Sequence, residues 1–120
     1  MSAPVRIRRI YDEPSTDDGA RVLVDRLWPR GISKERAALD EWCKTVAPST
    51  ELRRWYAHDP ARFDEFDRRY RAELESGDDQ TAGLAHLREL ATDGVLTLLT
   101  ATKDPALSEA EVLRRILTGG

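Results

Sequence analysis

Cysteine occurs once in the chain, methionine once and histidine twice. A single thiol cannot close an internal disulfide, which excludes the stapled scaffolds of small secreted proteins. Two histidines and one cysteine, far apart in sequence, give no zinc-ligand spacing, so no metal is implied. Long apolar runs are missing as well. Nothing approaches the ~20 residues of a membrane helix, and no charged-then-apolar start marks a signal peptide. The expectation is a cytoplasmic chain with no membrane partner. An excess of one charge is also lacking: Lys+Arg 19 against Asp+Glu 22 gives a net charge of -3. No global field then draws in a phosphate backbone, which argues against nucleic acid as the partner and leaves only a local basic patch to bind a polyanion. Finally, no glycine-rich phosphate loop, elbow serine or paired-carboxylate motif is found, and no organic cofactor is implied.

What is present suits one soluble domain spanning 1–120, with 40% hydrophobic and 34% charged residues in 120. Val5 to Ile10 alternates at Val5, Arg6 and Ile7 and then carries Arg8 and Arg9, as an edge strand would. Tyr11 to Gly19 is dense in turn formers and reads as a loop. Val22, Leu23 and Val24 form a continuous apolar run, expected of a strand buried on both faces. Ser33 caps a short helical turn through Ala38. Leu39 to Val46 is ambiguous and is read as a short strand.

Helical signals follow. One helix opens at Ser49 or Thr50 and holds Leu52, Trp55 and Tyr56. A second is capped by Asp59 with Pro60 at its first position and carries Phe63, Phe66, Tyr70 and Leu74 toward a core. A third, with Leu84, Leu87 and Leu90, stops at Asp93 and Gly94. Val95 to Leu99 is a second buried strand, and Ser108 with Glu111 matches a capping box ahead of a last helix. Together these elements predict an α/β fold: one Rossmann-like three-layer domain with a mostly parallel sheet of about four strands flanked by helices.

In such sheets, ligands gather beyond the carboxyl ends of the strands. Tyr11 follows the first strand; Asp25, Arg26, Trp28 and Arg30 follow the second; Lys103 follows the last. Arg26 and Arg30 offer planar forks for phosphate or carboxylate, Lys103 a point charge, and the helix start at Ser49 further donors. Asp25 would orient an arginine or act as base, with Tyr11 and His58 as candidates for proton transfer. Blander readings stand beside these. Asp25 pairs structurally with Arg26, Arg30 or Lys103; Trp28 anchors a loop rather than stacking on a ligand; His58 belongs to a helix cap; His86 is a boundary residue; Cys43 is a buried structural thiol.

The stretch Arg21-Val22-Leu23-Val24-Asp25-Arg26-Leu27-Trp28-Pro29-Arg30-Gly31 resembles the YeaO-like branch of DUF488, a bacterial and archaeal family of unknown function. Arg9-Ile10-Tyr11-Asp12, Ala47-Pro48-Ser49-Thr50, His58-Asp59-Pro60 and Lys103-Asp104 agree with it. The resemblance implies a compact Rossmann-like domain with no established activity. Relatives in the broader family carry a cysteine in the last strand and a Cys-His-Arg stretch before the last helix. Here Thr100 and Leu107-Ser108-Glu109 stand instead, which argues against thiol or metal chemistry. The broader family also places a helix between its first two strands, whereas Tyr11 to Gly19 falls below the ~10 to 12 residues of a helical crossover, so the first strand's direction stays open.

The leading expectation is a site for an anionic or nucleotide-like small molecule, of enzyme or sensor type. The rival is a nucleic-acid or protein interaction module using Arg6, Arg8, Arg9, Arg53 and Arg54. A third is a homodimer formed through the edge strand Val5 to Ile10.

Overall fold

The computed structural model describes residues 5–119, so the outermost ends of the expected 1–120 domain lie outside the described residues. Four strands make one sheet: β1 (Val5–Arg9), β2 (Ala20–Leu23), β3 (Glu41–Trp42) and β4 (Leu96–Thr100). Their spatial order is β1-β4-β2-β3, and every neighbouring pair is parallel. Five α-helices accompany them: α1 (Lys34–Ala37), α2 (Thr50–Tyr56), α3 (Phe63–Ser76), α4 (Asp78–Asp93) and α5 (Glu109–Gly119). This is the expected three-layer α/β architecture, with its sheet parallel throughout.

The two central strands are those read as buried runs. Val22, Leu23 and Val24 are fully buried, as are Leu96, Leu98 and Leu99. Alternate residues serve opposite layers, because successive side chains leave a strand on opposite faces. Val22, Val24, Leu96 and Leu98 meet α2 to α5 in the larger core, while Leu23 and Leu99 join Ile10, Ile32 and Ala37 in a smaller one. One layer is therefore thick and helical, and the other is a thin cover built from the segment carrying Trp28, Ile32 and α1. Within the thick layer, Tyr56 stacks on Phe66 at 4.3 Å and Phe66 on Tyr70 at 5.7 Å. Each buried ring contributes about 1.5–3 kcal/mol.

The direction of β1 is settled by its pairing with β4, Val5 opposite Leu96 through Arg9 opposite Thr100. The connection from Ile10 to Gly19 contains only a single 3-10 turn at Thr16–Asp18. It is long enough: ten extended residues reach ~33 Å, whereas the return along a five-residue strand is ~17 Å and the sidestep over β4 ~10 Å. Asp18 fastens it. This fully buried carboxylate accepts the Ser15 N–H at 2.9 Å and lies against the guanidiniums of Arg6, Arg8 and Arg21. The buried Thr97 hydroxyl of β4 donates to its carbonyl at 2.6 Å.

Two local expectations are corrected. The strand read over Leu39 to Val46 is only Glu41–Trp42, followed by a 3-10 turn at Lys44–Val46. The Asp40 carboxylate takes the Arg21 N–H at 2.8 Å, and past Cys43 the chain bends so that Val46 enters the thick core. The capping box at Ser108 and Glu111 does not close. Ser108 Oγ does accept from Ala110 N, but its own N–H bonds the Pro105 carbonyl, and the Glu111 carboxylate turns to Arg114 and Arg115. The closed box is at Ser15 and Asp18, inside the β1–β2 connection.

Candidate functional site

Beyond Val24 the chain leaves the sheet at Asp25, beside the end of β4. The Asp25 carboxylate accepts the Thr100 hydroxyl on one oxygen and the Ala101 N–H on the other, both at 2.8 Å. Its backbone carbonyl accepts the Trp42 indole N–H at 2.7 Å. Asp25 thus pins the exit of β2 to β4 on one side and to β3 on the other. It forms no ion pair with Arg26, Arg30 or Lys103 among the described residues.

Glu109, the first residue of α5, has Asp25 among its charged neighbours. Burial, together with the nearby Asp25, holds the Glu109 carboxyl well above the ordinary carboxylate range; its own backbone N–H and Arg53 oppose this in part.

The cations stand at the rim. Arg26, Arg30 and Lys103 are all exposed. Arg26 donates to the Pro48 carbonyl at 3.1 Å, which draws the loop after β2 toward the start of α2. The Tyr11 hydroxyl donates to the Arg30 carbonyl at 2.8 Å, and the Arg9 guanidinium lies 5.0 Å from the Tyr11 ring centre. The loops after β1, β2 and β4 are therefore brought together, and Tyr11, Asp25, Arg26 and Arg30 with them.

Other residues picked out in the sequence sit in different surroundings. Trp28 donates its indole N–H to the Ile32 carbonyl at 2.9 Å and packs edge-on against Trp42 at 5.5 Å, within the thin layer. Ser49 donates its hydroxyl to Glu73 at 2.6 Å and accepts the Leu52 N–H, so a carboxylate already occupies that helix start. His58 lies past the far end of α2, exposed and left-handed at φ 56° after the left-handed Ala57. Its ring is 6.2 Å from that of Tyr56. Burial, with Asp104, Asp59 and Glu109 nearby, pushes the Tyr56 phenol up to about 12, and its hydroxyl donates to the Leu107 carbonyl at 2.6 Å. A separate concavity of about 340 Å³ opens between β3 and α4, with Glu41, Trp42, Lys44, Thr45 and His86 in its walls. No cluster of His, Cys, Asp and Glu fit to hold a metal ion occurs among the described residues, and no helix there is long and apolar enough to cross a membrane.

The chain is similar to known proteins over nearly its whole length. Residues 4–119 match the family model described as the inactive DUF488-N3 subclade. Uncharacterised proteins of Mycobacterium tuberculosis and Mycobacterium bovis are each 51% identical to the chain over 115 residues, covering 96% of it and 94% of the relative. The uncharacterised protein YeaO of Escherichia coli is 41% identical over 109 residues, covering 91% of this chain and 92% of YeaO. No solved structure matches the chain. With nearly its whole length matched by the family model and by these relatives, the chain belongs to the DUF488 family as a YeaO-like member.

Proposed function

We propose that the chain is a binding domain for a small anionic molecule, such as a phosphorylated or nucleotide-like one, held at the carboxyl ends of β2 and β4 without turnover. The supporting observation is the position of three cations. Arg26, Arg30 and Lys103 share the lack of a counter-ion among the described residues with Arg9, Arg36, Arg53, Arg54, Arg88, Lys34 and Lys44, but they alone follow β2 and β4 as exposed cations on the loops at the carboxyl ends of those strands. These three cations stand on loops joined by the bonds of Asp25 and Tyr11, and the guanidiniums are of the charge and planar shape that take up a phosphate or carboxylate in bidentate hydrogen bonds. Binding without chemistry accords with the family's description as inactive. It accords also with the local bonding: both Asp25 oxygens are filled, and the Tyr11 hydroxyl is committed to the Arg30 carbonyl.

The test is calorimetric titration with inorganic phosphate and a set of nucleoside monophosphates. A charged hydrogen bond is worth about 1.5–3 kcal/mol, so Arg26→Ala or Arg30→Ala is expected to weaken any binding roughly tenfold or more. Unchanged affinity in both variants would remove these residues from the site. Of the arginines in the interaction-module reading, Arg6 and Arg8 lie on Asp18 and Arg9 on the Thr102 and Ala101 carbonyls, while Arg53 and Arg54 are exposed on α2.

A further inference from the structure

The loop from Asp25 to Gly31 has a feature that charge alone does not explain. Leu27 is 66% exposed, and among the described residues it shares exposure with one other large hydrophobic, Tyr11 at 36%. A lone exposed leucine needs no explanation. Here, however, both residues lie on the loops at the carboxyl end of the sheet, Tyr11 just after β1 and Leu27 between Arg26 and Arg30 in the loop after β2. The Tyr11 hydroxyl donates to the Arg30 carbonyl at 2.8 Å and so joins the two loops.

Leu27 is also held where it stands. On one side Arg26 donates to the Pro48 carbonyl at 3.1 Å. On the other, Trp28 enters the thin layer with its indole N–H on the Ile32 carbonyl at 2.9 Å, and Pro29 is buried. With both flanks fixed, Leu27 joins neither core. The Tyr11 ring is fixed in turn by its hydroxyl bond and by the Arg9 guanidinium 5.0 Å from its centre. Apolar groups already held in place cost a ligand little ordering entropy.

An exposed leucine between two guanidiniums discriminates among anions. Inorganic phosphate satisfies the arginines and leaves Leu27 in water, whereas a phosphate joined to an apolar ring satisfies them and covers Leu27 as well. Guanidiniums themselves stack on planar rings. We infer that the anion site proposed above takes a phosphate ester of an aromatic or heteroaromatic ring in preference to a bare anion, with Leu27 recognising the ring while Arg26 and Arg30 hold the phosphate. The inference rests on that reading of the site and adds the ligand's other half.

Phenyl phosphate and methyl phosphate carry the same charged group and differ in the apolar body, so NMR titration of the intact chain with each is the test. Wild type is expected to bind phenyl phosphate roughly tenfold more tightly, the factor that covering part of a leucine side chain supplies. Cross-relaxation between the Leu27 methyl protons and the phenyl ring protons is expected in the complex. Leu27→Ser should bring the ratio near one with methyl phosphate affinity unchanged, and Leu27→Met, similar in volume, should keep the preference. Adenosine monophosphate, titrated alongside, distinguishes the source of the ring. A Leu27-dependent gain over methyl phosphate points to a nucleotide and a gain with phenyl phosphate alone to a simpler aryl ester, and either supports the role of Leu27. Equal affinity of wild type for all three esters, or a ring preference that survives Leu27→Ser, overturns the inference and leaves the anion site standing. Failure of every ester to bind overturns both. Should Leu27→Ser fail to fold, the wild-type ratio and the cross-relaxation still decide.

Discussion

Asp18 is the residue on which the helix-free β1–β2 connection depends. Burial pushes its carboxyl up, but the Ser15 N–H and the guanidiniums of Arg21 and Arg8 together pull it below the ordinary aspartate range. A lowered folded value stabilises the protein above the unfolded value of ~3.9 and ceases to do so as pH falls through the folded one. Asp18 thus makes the fold sensitive to acid. Asp18→Asn leaves Arg21, itself 5% exposed, without its partner. Uncompensated charges of this kind cost about 3–5 kcal/mol, a loss that chemical denaturation at neutral pH would register. A loss under about 1 kcal/mol would mean that Arg21, through its bonds to the Ala37 and Ala38 carbonyls, holds the connection without Asp18. The only local signal for Asp18 is its place three residues after Ser15, the spacing of a capping box; it does not announce burial among three arginines, and Asp17 beside it is chemically equivalent and exposed. Only the meeting of β1 and β2 across β4 makes one of them central.

Among the elements, those with strong periodicity were legible from sequence, and those governed by long-range pairing were not. The buried runs at Val22–Val24 and Leu96–Leu99 are central strands, and the Phe63, Phe66, Tyr70, Leu74 stripe faces the core, because apolar spacing alone requires it. The length of β3 was not legible, since it ends where Val46 must turn into the thick layer. The direction of β1 was likewise hidden, since it rests on the reach of a ten-residue connection. That connection closes at Gly19, with φ 61°, where an added Cβ would lie 2.2 Å from the Val95 carbonyl oxygen. Both the left-handed backbone and the collision oppose a side chain. Gly19→Ala is expected to lower stability by about 1–3 kcal/mol, read as a shifted denaturation midpoint with an unchanged slope. Gly31 provides the control. It is also left-handed, at φ 77°, but has open space around it, so Gly31→Ala should cost only the backbone strain of about 1–2 kcal/mol.

At the scale of the molecule, the cations near the two ends of the sheet differ in their surroundings. Around the β1–β2 connection, buried or half-buried arginines are paired with carboxylates and hold the chain in place; at the carboxyl ends of β2 and β4, Arg26, Arg30 and Lys103 remain exposed and without counter-ions among the described residues. The rim cations were visible in the sequence as residues following strands. The absence of any Asp25 ion pair to them was not, because Thr100 and Ala101 reach Asp25 first. Anion binding at this rim is best read by a nitrogen-15 NMR titration of the intact chain with inorganic phosphate and nucleoside monophosphates, following every backbone amide. Saturable shifts are expected to concentrate at residues 25–31 and 101–103, and to be lost in Arg26→Ala. Saturable shifts clustered elsewhere, such as the cleft between β3 and α4, or no shifts with any of these anions, would contradict an anion site at the ends of β2 and β4.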